Sequence, residues 1–136
     1  MLSLTSEYAL RALIHLARNE ADWPIPGRAI AEAAQIPPKY LSKVLGDLVR
    51  NGILDSSPGR TGGFALRRSP ANLTLFEVLS QFEPFNRNRC PFGNKQCNDL
   101  DPCLAHHEWT KVVDAERSFL QRTTIFEIAV KKNGRK

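Results

Sequence analysis

Apolar positions near the start of the chain recur at helical spacing. Leu4, Tyr8, Ala12 and Leu16, with Leu13 and Ala17, fall on one stripe. That stripe predicts a helix running from a Ser3 or Thr5 cap to about Arg18 and burying this face in a core. A turn-rich run, Asp22-Trp23-Pro24-Ile25-Pro26-Gly27, separates it from Arg28 to Ala34, where Ile30, Ala31 and Ala34 keep the helical period. This second helix stops before Ile36-Pro37-Pro38. Proline suits a first helical turn, where its missing N–H leaves no bond unmade. Tyr40, Leu41, Val44, Leu45, Leu48 and Val49 then face inward until Asn51-Gly52 ends the third helix. Two short helices across a tight turn predict a helix-turn-helix.

After Gly52 the pattern changes. Ile53-Leu54-Asp55-Ser56 and Gly63-Phe64-Ala65-Leu66-Arg67 have strand composition and bracket the turn-forming run Ser57-Pro58-Gly59-Arg60-Thr61-Gly62. Directly behind a helix-turn-helix, such a hairpin is a wing. Thr74 to Phe82 predicts another amphipathic helix, closed by Pro84, and Phe85 to Asp101 reads as a loop long enough to be functional. Asp101-Pro102 provides a cap and a first-turn proline for a long helix to about Arg122, with Ala105, Trp109, Val112, Glu116 and Phe119 on one stripe. Thr124-Ile125-Phe126-Glu127 matches a capping box, and Lys131 to Lys136 form a basic tail. No internal repeat is visible. The fold class expected is mainly α with a small β-hairpin: a winged helix-turn-helix followed by a long C-terminal helix.

With 136 residues, 42% hydrophobic and 24% charged, the chain can bury one core and carry an extension. A net charge of +5 suits a polyanionic partner, because a Lys or Arg brought to a phosphate releases condensed counterions. No apolar run approaches the ~20 residues that span a bilayer, and Glu7 stands where a secretory signal would be basic. The expectation is a soluble, cytoplasmic protein without membrane contact. Three cysteines, all between Cys90 and Cys103, do not suggest a disulfide scaffold.

With the inward face of the third helix taken up by apolar residues, Lys39, Ser42, Lys43, Gly46, Asp47 and Arg50 are left outward. A helix enters a major groove only if its exposed face is not bulky. Ser42 can donate to base edges there, and Lys39 and Lys43 can reach phosphate or guanine. Arg60 at the wing tip can enter a minor groove, where narrow A·T tracts concentrate negative potential. The expected DNA-contacting set is Arg28, Lys39, Tyr40, Ser42, Lys43, Arg50, Arg60 and Thr61. A solvated helix face and an ordinary polar turn are the plainer readings of the same residues. The ordered series of helix, turn, helix and glycine-rich basic hairpin favours DNA. An enzyme is not expected, since there is no nucleophile-base pair, phosphate-cradling glycine loop or paired carboxylate.

The series Tyr40-Leu41 through Gly52-Ile53-Leu54, then Gly62-Gly63-Phe64-Ala65-Leu66 and Leu73-Thr74-Leu75-Phe76-Glu77-Val78-Leu79, resembles winged-helix regulators of the IscR and NsrR type. So do the opening Leu4-Thr5-Ser6-Glu7-Tyr8-Ala9-Leu10 and the closing Thr123-Thr124-Ile125-Phe126-Glu127-Ile128-Ala129. The resemblance covers nearly the whole chain. It departs at the wing, where the family often has Arg-Gly-Pro-Gly-Gly-Gly-Tyr and this chain has Pro58 at the arginine and Arg60 at the proline. It implies a homodimer paired through the helix from Pro102 to Arg122, reading a pseudo-palindromic double-stranded DNA operator. The implied organisation is a DNA-binding domain over 1–83, a cysteine-bearing sensor loop over 84–101, and a dimerisation helix with its C-terminal segment over 102–136.

The resemblance also implies an iron-sulfur cluster held by Cys90, Cys97 and Cys103, which have six and five residues between them. Independently of it, Cys103 and His106 stand at i and i+3 in the first turns of a helix, so both can reach one metal. The helix N-terminus would favour the Cys103 thiolate that iron or zinc requires. Two fourth ligands are open. His106 matches the IscR-like position and implies a [2Fe-2S] centre; Glu7 of the partner subunit matches the NsrR-like position and implies a [4Fe-4S] centre. Zinc on the three cysteines and His106, or three free thiols, would make the site a zinc or thiol switch, and a regulator acting through protein docking is a further alternative. His107 faces away from the pair, and His15 on the first helix is a packed or exposed histidine. The function expected is a transcription regulator whose operator binding is controlled by a cluster sensing redox state, nitric oxide, or iron and cluster supply.

Overall fold

The computed structural model describes residues 2–83, 92, 100 and 105–130. Helix α1, Leu4–Arg18, starts where Ser3 caps it, the Ser3 Oγ accepting from the Ser6 N–H at 3.2 Å. Its buried stripe is Ser6, Ala9, Ala12, Leu13 and Leu16. Leu4, expected in that stripe, is 51% exposed, because it lies in the first turn before the helix reaches the core. A 3₁₀ turn at Glu20–Asp22 leads into α2, Gly27–Ala34.

Between α2 and α3, Pro38–Arg50, the turn is Gln35-Ile36-Pro37. Gln35 has φ 58° and ψ 53°, the left-handed conformation that usually calls for glycine. Its N–H bonds to Glu32 and that of Ile36 to Ala31 at 2.9 Å, which swings Ile36 into the core. The same device ends α3 with the residue it favours. Gly52 has φ 79°, its N–H bonds to Val49, and the Ile53 N–H bonds to Leu48, both at 3.0 Å. Leu41, Val44, Leu45 and Leu48 are buried as expected. Tyr40, also expected inward, is instead 36% exposed, standing edge-on to Tyr8 with ring centroids 5.0 Å apart.

The wing pairs β1, Leu54–Ser57, with β2, Gly63–Leu66, antiparallel in the register Leu54 to Leu66 and Ser57 to Gly63. A third segment joins it: Phe64 donates to the Ile25 carbonyl at 2.8 Å and accepts from the Ile25 N–H at 3.0 Å. The wing root is thereby tied to the lead-in of α2. Helix α4 is Leu75–Leu79, shorter than expected, and Phe82 follows in a turn rather than in the helix.

Helix α5, His106–Arg122, ends where α6, Ile125–Val130, begins. The expected start of the long helix at Pro102, and the tail 131–136, lie outside the described residues. Thr74 and Thr124 form an antiparallel bridge, with the Leu75 N–H on the Thr123 carbonyl and the Ile125 N–H on the Leu73 carbonyl, both 2.9 Å. Each threonine opens a capping box, with Glu77 and Glu127 as the respective acids. The segments Thr74-Leu75-Phe76-Glu77-Val78 and Thr124-Ile125-Phe126-Glu127-Ile128 are therefore a local repeat in both sequence and structure. Leu120 and Ile125 enter the same core as α1 to α4, and the Arg18 Nε–H donates to the Ala129 carbonyl at 2.9 Å. Among the described residues, no helix is long and apolar enough to cross a membrane.

Candidate nucleic-acid interface

Burying Leu41, Val44, Leu45 and Leu48 fixes which face of α3 is left to solvent. Lys39, Ser42 and Lys43 are exposed on it, and neither lysine makes an ion pair among the described residues. Tyr40 extends this face toward α1, its hydroxyl 2.6 Å from the Thr5 Oγ1. Thr5, Lys39, Tyr40, Lys43 and Asp47 line one cleft between the start of α1 and α3. Thr5 was not among the residues expected here; its partner lies 35 positions away, beyond the reach of any local pattern. The tyrosine pair is backed by Arg11, whose guanidinium sits 5.0 Å over the Tyr8 ring and donates to the Ala34 carbonyl at 3.0 Å. One cation thus caps the C-terminal end of α2 and braces the aromatic pair that meets α3.

Arg50, at the last turn of α3, is paired with Asp47. Arg28 is exposed on α2 and lines a separate depression with Glu32, Gln35, Pro37 and Pro38. Arg60 and Thr61 are exposed in the wing turn. Two buried glycines hold that turn against the scaffold. A Cβ at Gly62 would stand 2.1 Å from the Ser57 carbonyl oxygen, and one at Gly63 would stand 2.3 Å from the Ile25 carbonyl carbon. On the shank of the wing, Arg67 pairs with Asp55 at 2.8 Å, and Arg68 pairs with Glu77 at 3.0 Å.

At the start of α1, the Glu83 Oε2 also accepts from the Ser3 N–H and the Ser6 hydroxyl, both at 2.6 Å. Partial burial raises the Glu83 carboxyl, but these bonds outweigh it and hold its pKa below the ordinary carboxylate value. Glu7, in the first turn of α1, is exposed.

Cys90, Cys97 and Cys103 lie outside the described residues, so the expected pairing of Cys103 with His106 on one helix face does too. Among the described residues no group of His, Cys, Asp and Glu side chains is arranged to hold a metal. His106 is buried at the start of α5, with His107 exposed beside it at a ring separation of 5.5 Å. Phe92, between the first two cysteines in sequence, stands edge-on to Trp109 of α5 at 5.5 Å. Val112 and Phe119, on the expected stripe of α5, are 59% and 44% exposed. His15 is half-buried, its Nδ1 3.3 Å from the Asn19 side-chain amide.

Residues 2–131 match the model of the Rrf2 family, described as iron-dependent transcriptional regulators. The HTH-type transcriptional regulator IscR of Escherichia coli is 32% identical over 130 residues, covering 93% of this chain and 80% of that protein. Among solved structures, T. potens IscR superposes with a TM-score of 0.78 at 20% identity, covering 100% of this chain and 91% of that one. CymR, the global cysteine regulator of B. subtilis, superposes with a TM-score of 0.77 at 22% identity, covering 95% of each chain. Both share the winged-helix fold. The chain belongs to the Rrf2 family of transcriptional regulators, which are not enzymes.

Proposed function

We propose that this protein is a homodimeric regulator that binds a pseudo-palindromic operator in the cytoplasm and whose operator affinity is set by an iron-sulfur cluster. The observation that carries the DNA-binding half is the small, cationic outward face of α3, with Lys39, Ser42 and Lys43 exposed and the wing turn carrying Arg60 and Thr61. In this reading Ser42 addresses base edges, Lys39, Lys43 and Arg28 address phosphate, Tyr40 extends the face toward α1, and Arg60 reaches the minor groove, while Arg50 is engaged by Asp47. Two such heads related by a two-fold axis read two half-sites, so operator symmetry follows protein symmetry. The exposed apolar positions Val112 and Phe119 on α5 suit a helix-to-helix contact between subunits.

The cluster half rests on the donor set and on the family's iron dependence. Three thiols and the His106 imidazole offer the soft ligation that iron-sulfur centres take, and Glu7 of the partner subunit is the other candidate for the fourth position. When bound, the cluster supplies a centre whose charge and integrity depend on redox state, nitric oxide and iron supply. The protein's part is transmission. His106 starts α5, and the far end of that helix is fastened to the winged domain through Thr123, Thr124 and the α4 capping box. A change at the start of α5 is thus delivered to a single packed body, and it alters DNA affinity only if the two states bind DNA differently.

Anaerobic purification with iron and acid-labile sulfide counts and a visible spectrum tests this reading. The expected result is a coloured protein containing both elements. One zinc per subunit would replace the cluster with a metal switch at the same cysteines. A colourless, metal-free protein even after reconstitution would remove the cofactor altogether.

A further inference from the structure

The outward face of α3 carries one acid, and its placement is informative. Asp47 stands on the turn after Lys43 and lines the same cleft as Lys39 and Tyr40. A carboxylate there faces the polyanion that the rest of the surface attracts. Its side chain is engaged by the Arg50 guanidinium, three residues on. The arginine does not extend off the end of the helix. It folds back along the axis, so that a Cβ on Gly46 would lie 3.5 Å from Arg50 Nη1.

We infer that Asp47 is a specificity-determining residue that holds Arg50 off the DNA backbone. The inference rests on the reading of α3 as the recognition helix. An unrestrained arginine at the C-terminal end of that helix would reach phosphate on any sequence, adding affinity without discrimination. Paired with Asp47, its guanidinium is directed back along the helix and its charge is partly offset before DNA arrives. The backbone attraction of α3 is thereby concentrated at Lys39 and Lys43, beside Ser42, where base edges are read. Asp47 therefore suppresses non-specific binding more than operator binding.

The test uses the full-length protein, purified in one cofactor state, and two fluorescent duplexes of equal length. One is an operator obtained by selection from random duplexes, and the other is scrambled. Binding anisotropy is measured between 50 and 200 mM NaCl for the wild type, Asp47→Asn, Arg50→Gln and the double variant. Each freed arginine that gains a phosphate steepens the slope of log affinity against log salt by up to about 0.9, so its gain at 50 mM exceeds that at 200 mM about threefold. Asp47→Asn should show this on the scrambled duplex and a smaller gain on the operator, so the specificity ratio falls. Arg50→Gln alone should leave the slope near that of the wild type, and the double variant should match Arg50→Gln. Helical circular dichroism checks that all four proteins are folded, as expected for a solvent-exposed pair. The inference is overturned if Asp47→Asn leaves the scrambled-duplex slope unchanged, or if Arg50→Gln alone flattens it by a full contact. An equal gain from Asp47→Asn in the Arg50→Gln background would also overturn it, since repulsion by the carboxylate itself would then be the cause. If the wild type binds neither duplex, the recognition-helix reading fails and takes the inference with it.

Discussion

Alanine at Gly63 should damage the wing at its root, where the hairpin meets the lead-in of α2. The new Cβ would lie 2.3 Å from the Ile25 carbonyl carbon, 2.4 Å from its oxygen and 2.6 Å from the Pro26 nitrogen. All three obstacles are backbone, so no side chain can swing aside. Relief requires β2 to part from residues 25 and 26, breaking the Phe64-to-Ile25 bond at 2.8 Å and its reciprocal at 3.0 Å. At a net ~1 kcal/mol for each bond, the loss is about 2 kcal/mol or more, since Ile25 is a core residue whose packing also loosens. Gly59 is the internal control. It has φ 93° but no neighbour within 4 Å, so alanine there incurs only left-handed strain, about 1 kcal/mol. Urea denaturation followed by helical ellipticity, at one protomer concentration, separates the two cases. With a slope of roughly 2 kcal/mol per molar, the midpoint should fall by ~1 M or more for Gly63→Ala and by ~0.5 M for Gly59→Ala. A Gly63→Ala midpoint no lower than that of Gly59→Ala would refute the claim that the Ile25 contact holds the wing root.

Other substitutions test separate parts of the structure. Gln35→Gly relieves a left-handed residue in the helix-turn-helix turn and should raise stability by about 1 kcal/mol, read as a Tm higher by ~3 °C. Glu83→Gln should destabilise the protein at neutral pH, because the folded state depresses the Glu83 pKa and the native clamp on Ser3 and Ser6 is at full strength only when the carboxylate is ionised. That contribution is present above the unfolded carboxyl pKa and disappears as pH falls through the lower folded one, so wild-type and variant denaturation midpoints should converge in acid; a gap independent of pH would contradict it. Lys43→Ala and Arg60→Ala should each weaken DNA binding and reduce the salt slope by up to about 0.9 per lost phosphate contact, whereas Ser42→Ala should change sequence preference and leave the slope alone.

Local period and turn chemistry made most of the DNA-binding half readable in advance. The α2 and α3 boundaries, the inward leucines of α3 and the presence of the hairpin all follow from spacing, because each depends on neighbours within a turn or two. Leu4 and Tyr40 were misplaced by the same method. Periodicity assigns a residue to a face but does not say where the core ends, and both lie in the first turns of their helices at its edge. What escaped the pattern altogether is long-range pairing. Ile25 joins the wing across some forty residues, Glu83 clamps Ser3 and Ser6 across about eighty, and the Thr74 and Thr124 boxes meet across fifty. The twin Thr-x-Phe-Glu segments are a repeat of five residues occurring twice, too short and too few to carry a solenoid period. The DNA-facing cations were legible by elimination, since the apolar stripe left them outside. The pairing of Arg50 with Asp47 was not, because both simply counted as outward polar residues.

Operator affinity measured on one anaerobic preparation, before and after removal of its iron and sulfide, tests the central claim most directly. At fixed salt, the account predicts that a duplex selected by the protein is a pseudo-palindrome bound by two subunits, and that its affinity changes by roughly tenfold or more when the cluster is lost, about 1.4 kcal/mol of coupling. The same change should follow from replacing Cys90, Cys97 and Cys103 by serine. Equal affinity in the two states, with iron and sulfide demonstrably present in one, would contradict a regulator governed by its cluster.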